Sequence, residues 1–417
     1  MFRNSFGSQP IPHENRLEYS SVELFTMSAT SPSTVSEEPP RILSRELVML
    51  LCVLALVAML VLTALLSRLY HKKIHTLADA MFAQGEADEQ AGQVKAALTD
   101  YRNALAYNPT NSLFQFHLAK ALAAAKRDEE ARSYLLNMLS ESPGSGEVNL
   151  ELARIAVHDN SMADAMRYYQ GAIYGEWASD PMAMRWAVRR ELCETMLDRG
   201  EVEQAAPEVI ALAENTPAGD AVRLKIAGQL YLRTQQWTHA LDLYRTLLAI
   251  DRNDQESLAG AAQAAFQLGQ YIIAMEYFNQ LPQGRREQPD LASLFAMTSR
   301  ILAMDPFLSG LSAEVRARRA ANALELAQTR AENCARQAGQ PLEETPPKTE
   351  LQRLYAQAKD LQQDWTPRYL ERFPDRLDAA MGYVFAVQNA AAKACGEPQG
   401  DDRALWLLGR TRSVVNR

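Results

Sequence analysis

The chain has 417 residues, of which 47% are apolar and 23% charged, and its formal net charge is −8. That length allows two or three ordinary domains or one extended array, and the composition is that of a folded chain. The acidic balance argues against general nucleic-acid binding, which needs a basic footprint to displace counterions.

Alanine is abundant, while the 19 glycines and 19 prolines fall mostly between apolar-periodic segments. This pattern predicts an all-α chain. Residues 1–46 lack helical periodicity and are rich in Ser, Thr, Pro and Glu, so they are expected to form a disordered tail. Within them, "MSATSPSTVSEEPP" begins at Met27 and reads as a natural start. Next comes "LVMLLCVLALVAMLVLTALL", Leu47 to Leu66, with no charged residue. As a helix it would span about 30 Å, the thickness of a bilayer's hydrocarbon core. A secretory signal has a shorter apolar core followed by a small-residue cleavage site. Residues 47–67 are therefore predicted to be a single transmembrane helix in contact with lipid.

The side of the membrane is less marked. Arg41 and Arg45 precede the span, and Arg68, Lys72 and Lys73 follow it. Charge alone leans slightly towards placing the C-terminal bulk in the cytoplasm. The polar tail, whose translocation would be unusual, leans the other way. The expectation adopted is a cytoplasmic tail with the rest of the chain outside, periplasmic if the source is bacterial. His71 and His75, in "HKKIH", stand four apart, but Lys72 holds the position at which a zinc-protease motif has glutamate. A basic interfacial helix is the plainer reading.

From residue 76 to residue 288 the chain repeats itself. Ala97 recurs as Ala131, Ala165, Ala205, Ala240 and Ala274, at spacings of 34, 34, 40, 35 and 34. The long spacing marks an insertion around Glu176 to Pro181. Four residues after each alanine stands Tyr101, Leu135, Tyr169, Val209, Tyr244 or Phe278. Gly92, Gly200 and Gly269 precede the alanine by five positions, and Pro109, Pro143 and Pro217 follow it by twelve. Upstream lie the pairs Leu118-Ala119, Leu152-Ala153, Leu192-Cys193, Ala227-Gly228 and Ala261-Ala262. Such a unit fits two short helices: small residues permit close approach, the large residue fills the remaining groove, and proline marks the exit. Stacked units then share a core that one unit could not bury.

On these residues the chain resembles the tetratricopeptide-repeat family. The family's early tryptophan is missing, and alanine usually replaces the glycine of its Leu-Gly pair. Unit five, with Gly228, Tyr231, Trp237, Ala240 and Tyr244, keeps most of the signature. The resemblance implies a right-handed α-solenoid of about six helical hairpins, its inner surface lined mainly by the first helix of each unit. It assigns Phe116, Lys120, Arg154, Arg190, Lys225, Gln229 and Arg233 to that surface, interspersed with Glu86 and Glu194. Those cations could receive carboxylates of an acidic or C-terminal peptide. The asparagines of the family's peptide clamps are absent, and a solvated face is the plainer reading.

Beyond residue 288 the register fades but helices continue, so 289–417 is expected to be a helical cap or a partner-binding region. "LASLFAMTSRILAMDP" predicts a helix ending before Pro306, and "SAEVRARRAANALELAQTRAENCARQAG" a longer one capped by Ser312 and stopped by Gly339. A proline-rich loop follows, then helices near Leu351–Gln363, Arg376–Lys393 and through "DDRALWLLGRTR". The four cysteines, Cys52, Cys193, Cys334 and Cys395, contain no CxxC pair, which excludes a zinc ribbon or a thioredoxin-like motif. Cys334 and Cys395 could form a disulfide if their helices pack side by side; two separate buried thiols are the alternative.

No phosphate loop, nucleophile elbow or calcium loop occurs, so no catalytic residue, metal or cofactor is predicted. The function expected is a non-enzymatic, membrane-anchored scaffold for a protein or peptide partner, in a setting such as envelope assembly, secretion or translocation. The alternative is an anchored enzyme with its active site beyond residue 290, the repeats recruiting substrate; it requires a polar pocket there with shifted proton affinities. Self-association through the repeats is a third possibility.

Overall fold

The computed structural model describes residues 45–339, 341–361 and 365–415, so the expected disordered tail lies outside the described residues apart from its last two positions. The chain divides into two compact units, one ending at Ile74 and one running from His75. Helix α1, Arg45–Gln90, carries the apolar run and continues well past residue 67. In the first unit every side chain from Leu47 to Leu66 is exposed.

The second unit begins with six hairpins. Residues 75–90 of α1 pair with α2 (Val94–Tyr107), α3 (Ser112–Ala124) with α4 (Asp128–Glu141), and α5 (Gly146–His158) with α6 (Met162–Tyr174). Then α7 (Pro181–Asp198) pairs with α8 (Val202–Glu214), α9 (Ala221–Arg233) with α10 (Trp237–Ile250), and α11 (Gln255–Gln267) with α12 (Tyr271–Gln280). The six period-marking alanines are completely buried, and the large residue four positions later is at most 1% exposed in every unit.

The turn inside each hairpin is the same six times. The residue five before the alanine has a left-handed backbone: Gly92, Lys126, Asn160, Gly200, Gln235 and Gly269, with φ between 57° and 78°. The amide after it reaches back five residues, as in Arg127 N to Leu122 O and Gln236 N to Tyr231 O, both at 2.9 Å. This is the Schellman closure, which satisfies carbonyls otherwise left open at a helix C-terminus. Only three of the six positions are glycine, so the others hold a strained conformation.

Close approach follows from small residues. A Cβ on Gly85, the first unit's counterpart of Ala119, would lie 2.7 Å from the Tyr101 ring. One on Gly228 or Gly260 would lie 2.7 or 2.2 Å from Tyr244, so that ring is wedged between the first helices of units five and six. The insertion between units three and four is also structured. Ser145 and Glu176 form a single parallel bridge, made by the flanking glycines (Gly146 N to Glu176 O, 2.9 Å; Glu176 N to Gly144 O, 2.7 Å). Trp177 turns inward, 8% exposed, and donates to Ala172 O at 2.9 Å.

The remaining helices are α13 (Gln283–Arg286), α14 (Pro289–Met304), α15 (Ala313–Ala338), α16 (Glu350–Leu361), α17 (Pro367–Arg372), α18 (Asp375–Cys395) and α19 (Gly400–Val415). The apolar core crosses residue 288 without a break: Phe278 and Leu281 share one cluster with Leu291 and Ile301 of α14 and Ala404 and Leu408 of α19. Thr411 lies so close to Gly269 that a Cβ there would be 2.0 Å from its methyl group. Thus α14 and α19 cover the face that a seventh unit would otherwise take. A second core, from α15, α16, α17 and α18, is built mostly of alanine and leucine. Ser312 accepts from Val315 N and Gly339 takes φ 63° at the two ends of α15. Cys334 of α15 and Cys395 of α18 form a disulfide with their Cα atoms 5.7 Å apart. Cys193 is a buried free thiol, pushed up to about 12 by that burial.

An enzyme reading requires a polar pocket beyond residue 290 with shifted proton affinities. Beyond residue 290 the described groups with shifted proton affinity are Tyr383 and Glu344. Burial pushes the Tyr383 hydroxyl up to about 12, and it stands against Trp365 in the alanine-rich core. Hydrogen bonds from Lys348 and Gln352 hold Glu344 below the usual carboxylate range.

Candidate partner-binding face

Charged side chains link the first helices of successive units. Every cation that the sequence placed there meets a carboxylate. Lys120 Nζ lies 3.5 Å from Glu89, whose other oxygen accepts the Tyr101 hydroxyl at 2.6 Å. Burial raises the Glu89 carboxyl, but Tyr101 and Lys120 outweigh it and hold the group below its ordinary value. Arg154 grips Glu191 through two nitrogens, at 2.9 and 2.7 Å, and reaches Glu151 at 2.8 Å. Tyr169 also donates to Glu191, at 3.0 Å. Paired forks of this kind are the stronger class of ion pair. Glu151 is 8% exposed, and burial keeps its carboxyl above the usual range despite Arg154.

Further along, Arg190 lies 3.5 Å from Glu194. Lys225 lies 3.3 Å from both Asp254 and Glu256, and Gln229 donates to Glu256. Burial works against the charge on Lys225, but its hydrogen bonds to Glu256 and Asp254 hold it above the usual lysine range. Asp254 also caps α11 by accepting from Ser257 N at 3.0 Å. Arg233 bonds Asp198 at 2.8 Å. Phe116 is half-buried at the edge of the first core and borders a cavity of about 680 Å³ near Leu113 and Trp177.

The face is thus a ladder of ion pairs, most of them between units, rather than a row of open cations. Sequence reasoning named the bases, with Glu86 and Glu194, but missed Glu89, Glu151, Glu191, Asp198, Asp254 and Glu256. The signal was available. Apart from Glu151, which pairs within its own helix, each of these acids meets its partner across 27 to 37 residues, about one repeat away.

One other cluster has metal-ligand residue types. Ligand atoms of Asp128, His158 and Asp159 lie within 4.8 Å of one another. Arg132 already binds Asp159, and Lys126 Nζ stands 3.4 Å from His158 Nε2. Two cations beside the trio oppose a third. His71 and His75 are exposed on α1.

Residues 90–140 match the family profile described as tetratricopeptide repeat. No curated protein matches the chain in sequence. Among solved structures, PilW, a widely conserved type IV pilus biogenesis factor, is 17% identical, with 52% of this chain and 98% of PilW covered at a TM-score of 0.37. A tetratricopeptide repeat protein from Parabacteroides merdae is 13% identical, covering 54% and 90% at 0.35. The C-terminal part of a repeat protein from Cytophaga hutchinsonii is 12% identical, covering 75% and 97% at 0.39. The matched profile falls on units one and two, and the same left-handed turn, buried alanine and buried large residue recur in units three to six. Residues 90–140 therefore carry a tetratricopeptide repeat, and units three to six repeat its geometry.

Proposed function

We propose that this protein is a membrane-anchored scaffold whose repeat array holds a protein partner, in envelope assembly, secretion or translocation. The observation that carries the anchoring is the uncharged run Leu47–Leu66, with every side chain exposed, on the helix that also begins the first hairpin. Exposed apolar surface on this scale is stable in lipid and not in water. The Cys334–Cys395 pair supports an array on the exterior side, because disulfides persist in oxidising compartments.

The first-helix face, with Phe116, Lys120, Arg154, Arg190, Lys225, Gln229 and Arg233, is the surface along which a folded or extended partner lies in this reading. Its cations already have carboxylate partners, so a ligand offering only carboxylates would exchange one ion pair for another. A partner with mixed charges and apolar contacts suits it better.

Carbonate extraction of membranes tests the anchor. The full chain is expected in the pellet at alkaline pH, and Leu56→Arg with Leu60→Arg in the supernatant, since each arginine costs about 2.5–3.5 kcal/mol at mid-span. Release of the unmodified chain would remove the anchor.

A further inference from the structure

The insertion that breaks the repeat period also builds a cavity. About 510 Å³ in volume, it lies between the end of α6, the start of α7 and the end of α8, and Tyr174, Met182, Arg185, Trp186 and Arg189 line it. Two features separate it from the first-helix face. Its apolar rim is open: Tyr174 is 76% exposed and Met182 68%. One of its cations, Arg185, also differs in its partner. Arg189 is 9% exposed and held by Glu208 at 3.2 Å, and Arg223, outside the lining, stacks over the Trp186 ring at 5.1 Å while reaching Asp220 at 3.4 Å. Arg185 is exposed and donates to a neutral group, the Gly175 carbonyl at 3.1 Å; among the described residues no carboxylate lies within ion-pair distance of it.

The floor is fixed. Trp186 donates to Thr216 Oγ1 at 2.8 Å, and buried Trp177 ties the insertion to the core. A rigid aromatic floor, a methionine wall and an arginine without a carboxylate form the residue set enriched where partners anchor.

We propose that this cavity takes a segment of a partner protein carrying an aromatic or large aliphatic side chain within three residues of an aspartate or glutamate. The apolar side chain lies among Tyr174, Met182 and Trp186, and the carboxylate pairs with Arg185. This inference rests on the reading of the array as a protein-binding scaffold, and it specifies a docking point for which the first-helix ladder is not required.

The test places benzoylphenylalanine at position 174 of the full chain in its native membrane, irradiates, and sequences the crosslinked peptide. Arg185→Glu, Arg185→Lys and the first-helix variant Arg233→Glu are irradiated in parallel. The expected result is a partner segment with an acidic residue within three positions of the crosslinked apolar one. Its yield should fall at least tenfold in Arg185→Glu and persist in Arg185→Lys and Arg233→Glu. Crosslinks to lipid, to a second copy of this chain, or to a segment without a carboxylate would overturn the proposal, as would no crosslink or a yield indifferent to Arg185→Glu. Loss in Arg233→Glu alone would overturn the cavity while leaving the scaffold reading intact.

Discussion

The repeat array and the C-terminal region cover apolar helix faces by different means. In the array one solution recurs: a left-handed turn, a buried alanine and a buried large side chain, wedged at Tyr101 and Tyr244 against glycines of first helices. Beyond α14 nothing recurs; a long alanine-faced helix, α15, packs on α18, and a disulfide ties their ends. Periodic stacking makes each unit depend on its neighbours. The C-terminal core depends instead on contacts between segments far apart in sequence.

The largest expected effect tests that difference inside the array. Tyr244→Ala removes a ring held between Gly228 and Gly260, where no nearby Cβ can fill the space. Truncating a buried aromatic costs about 3–5 kcal/mol. Hydrogen exchange should accelerate in α9, α10 and α11 and leave α15 and α18 protected. Equal loss in both regions would mean that the two cores unfold as one.

The converse experiment is smaller. Replacing Cys334 and Cys395 by serine opens a link across 61 residues. A loss of about 2–4 kcal/mol is expected, confined to the C-terminal core. An unchanged melting curve would show that the α15–α18 packing suffices without the link.

The smallest change sharpens the comparison by stabilising the array. Gln235 holds φ 57° on an exposed turn. Gln235→Gly relieves the left-handed strain, and a net gain of about 0.5–1 kcal/mol is expected after the added chain entropy of glycine. Chemical denaturation measures it, and a loss of stability would contradict the turn argument.

Much of the array was legible because its signals are repeated. The alanines, the large residues after them and the small residues facing them all lie where the period puts them. The turns were half legible: Gly92, Gly200 and Gly269 advertise a left-handed backbone, whereas Lys126, Asn160 and Gln235 hide the same conformation behind ordinary side chains. The ion-pair ladder is hidden when each cation is taken alone, because the acids that meet Lys120, Arg154, Lys225 and Arg233 stand about one repeat away. In the C-terminal region Ser312 and Gly339 marked α15, but α13 and α17 are too short for a periodic signal. The cysteine pairing was open because sequence does not fix which helices lie side by side. Trp177 could be read only as part of an insertion; that it folds inward depends on Gly146, whose missing side chain makes room for the indole.

The most direct test of an anchored scaffold facing the exterior is protease protection of a tag fused after Arg417. Digestion of the tag in intact cells, with the N-terminal side resistant until the membrane is permeabilised, is the predicted result. A tag protected until permeabilisation would place the array in the cytoplasm and contradict the account.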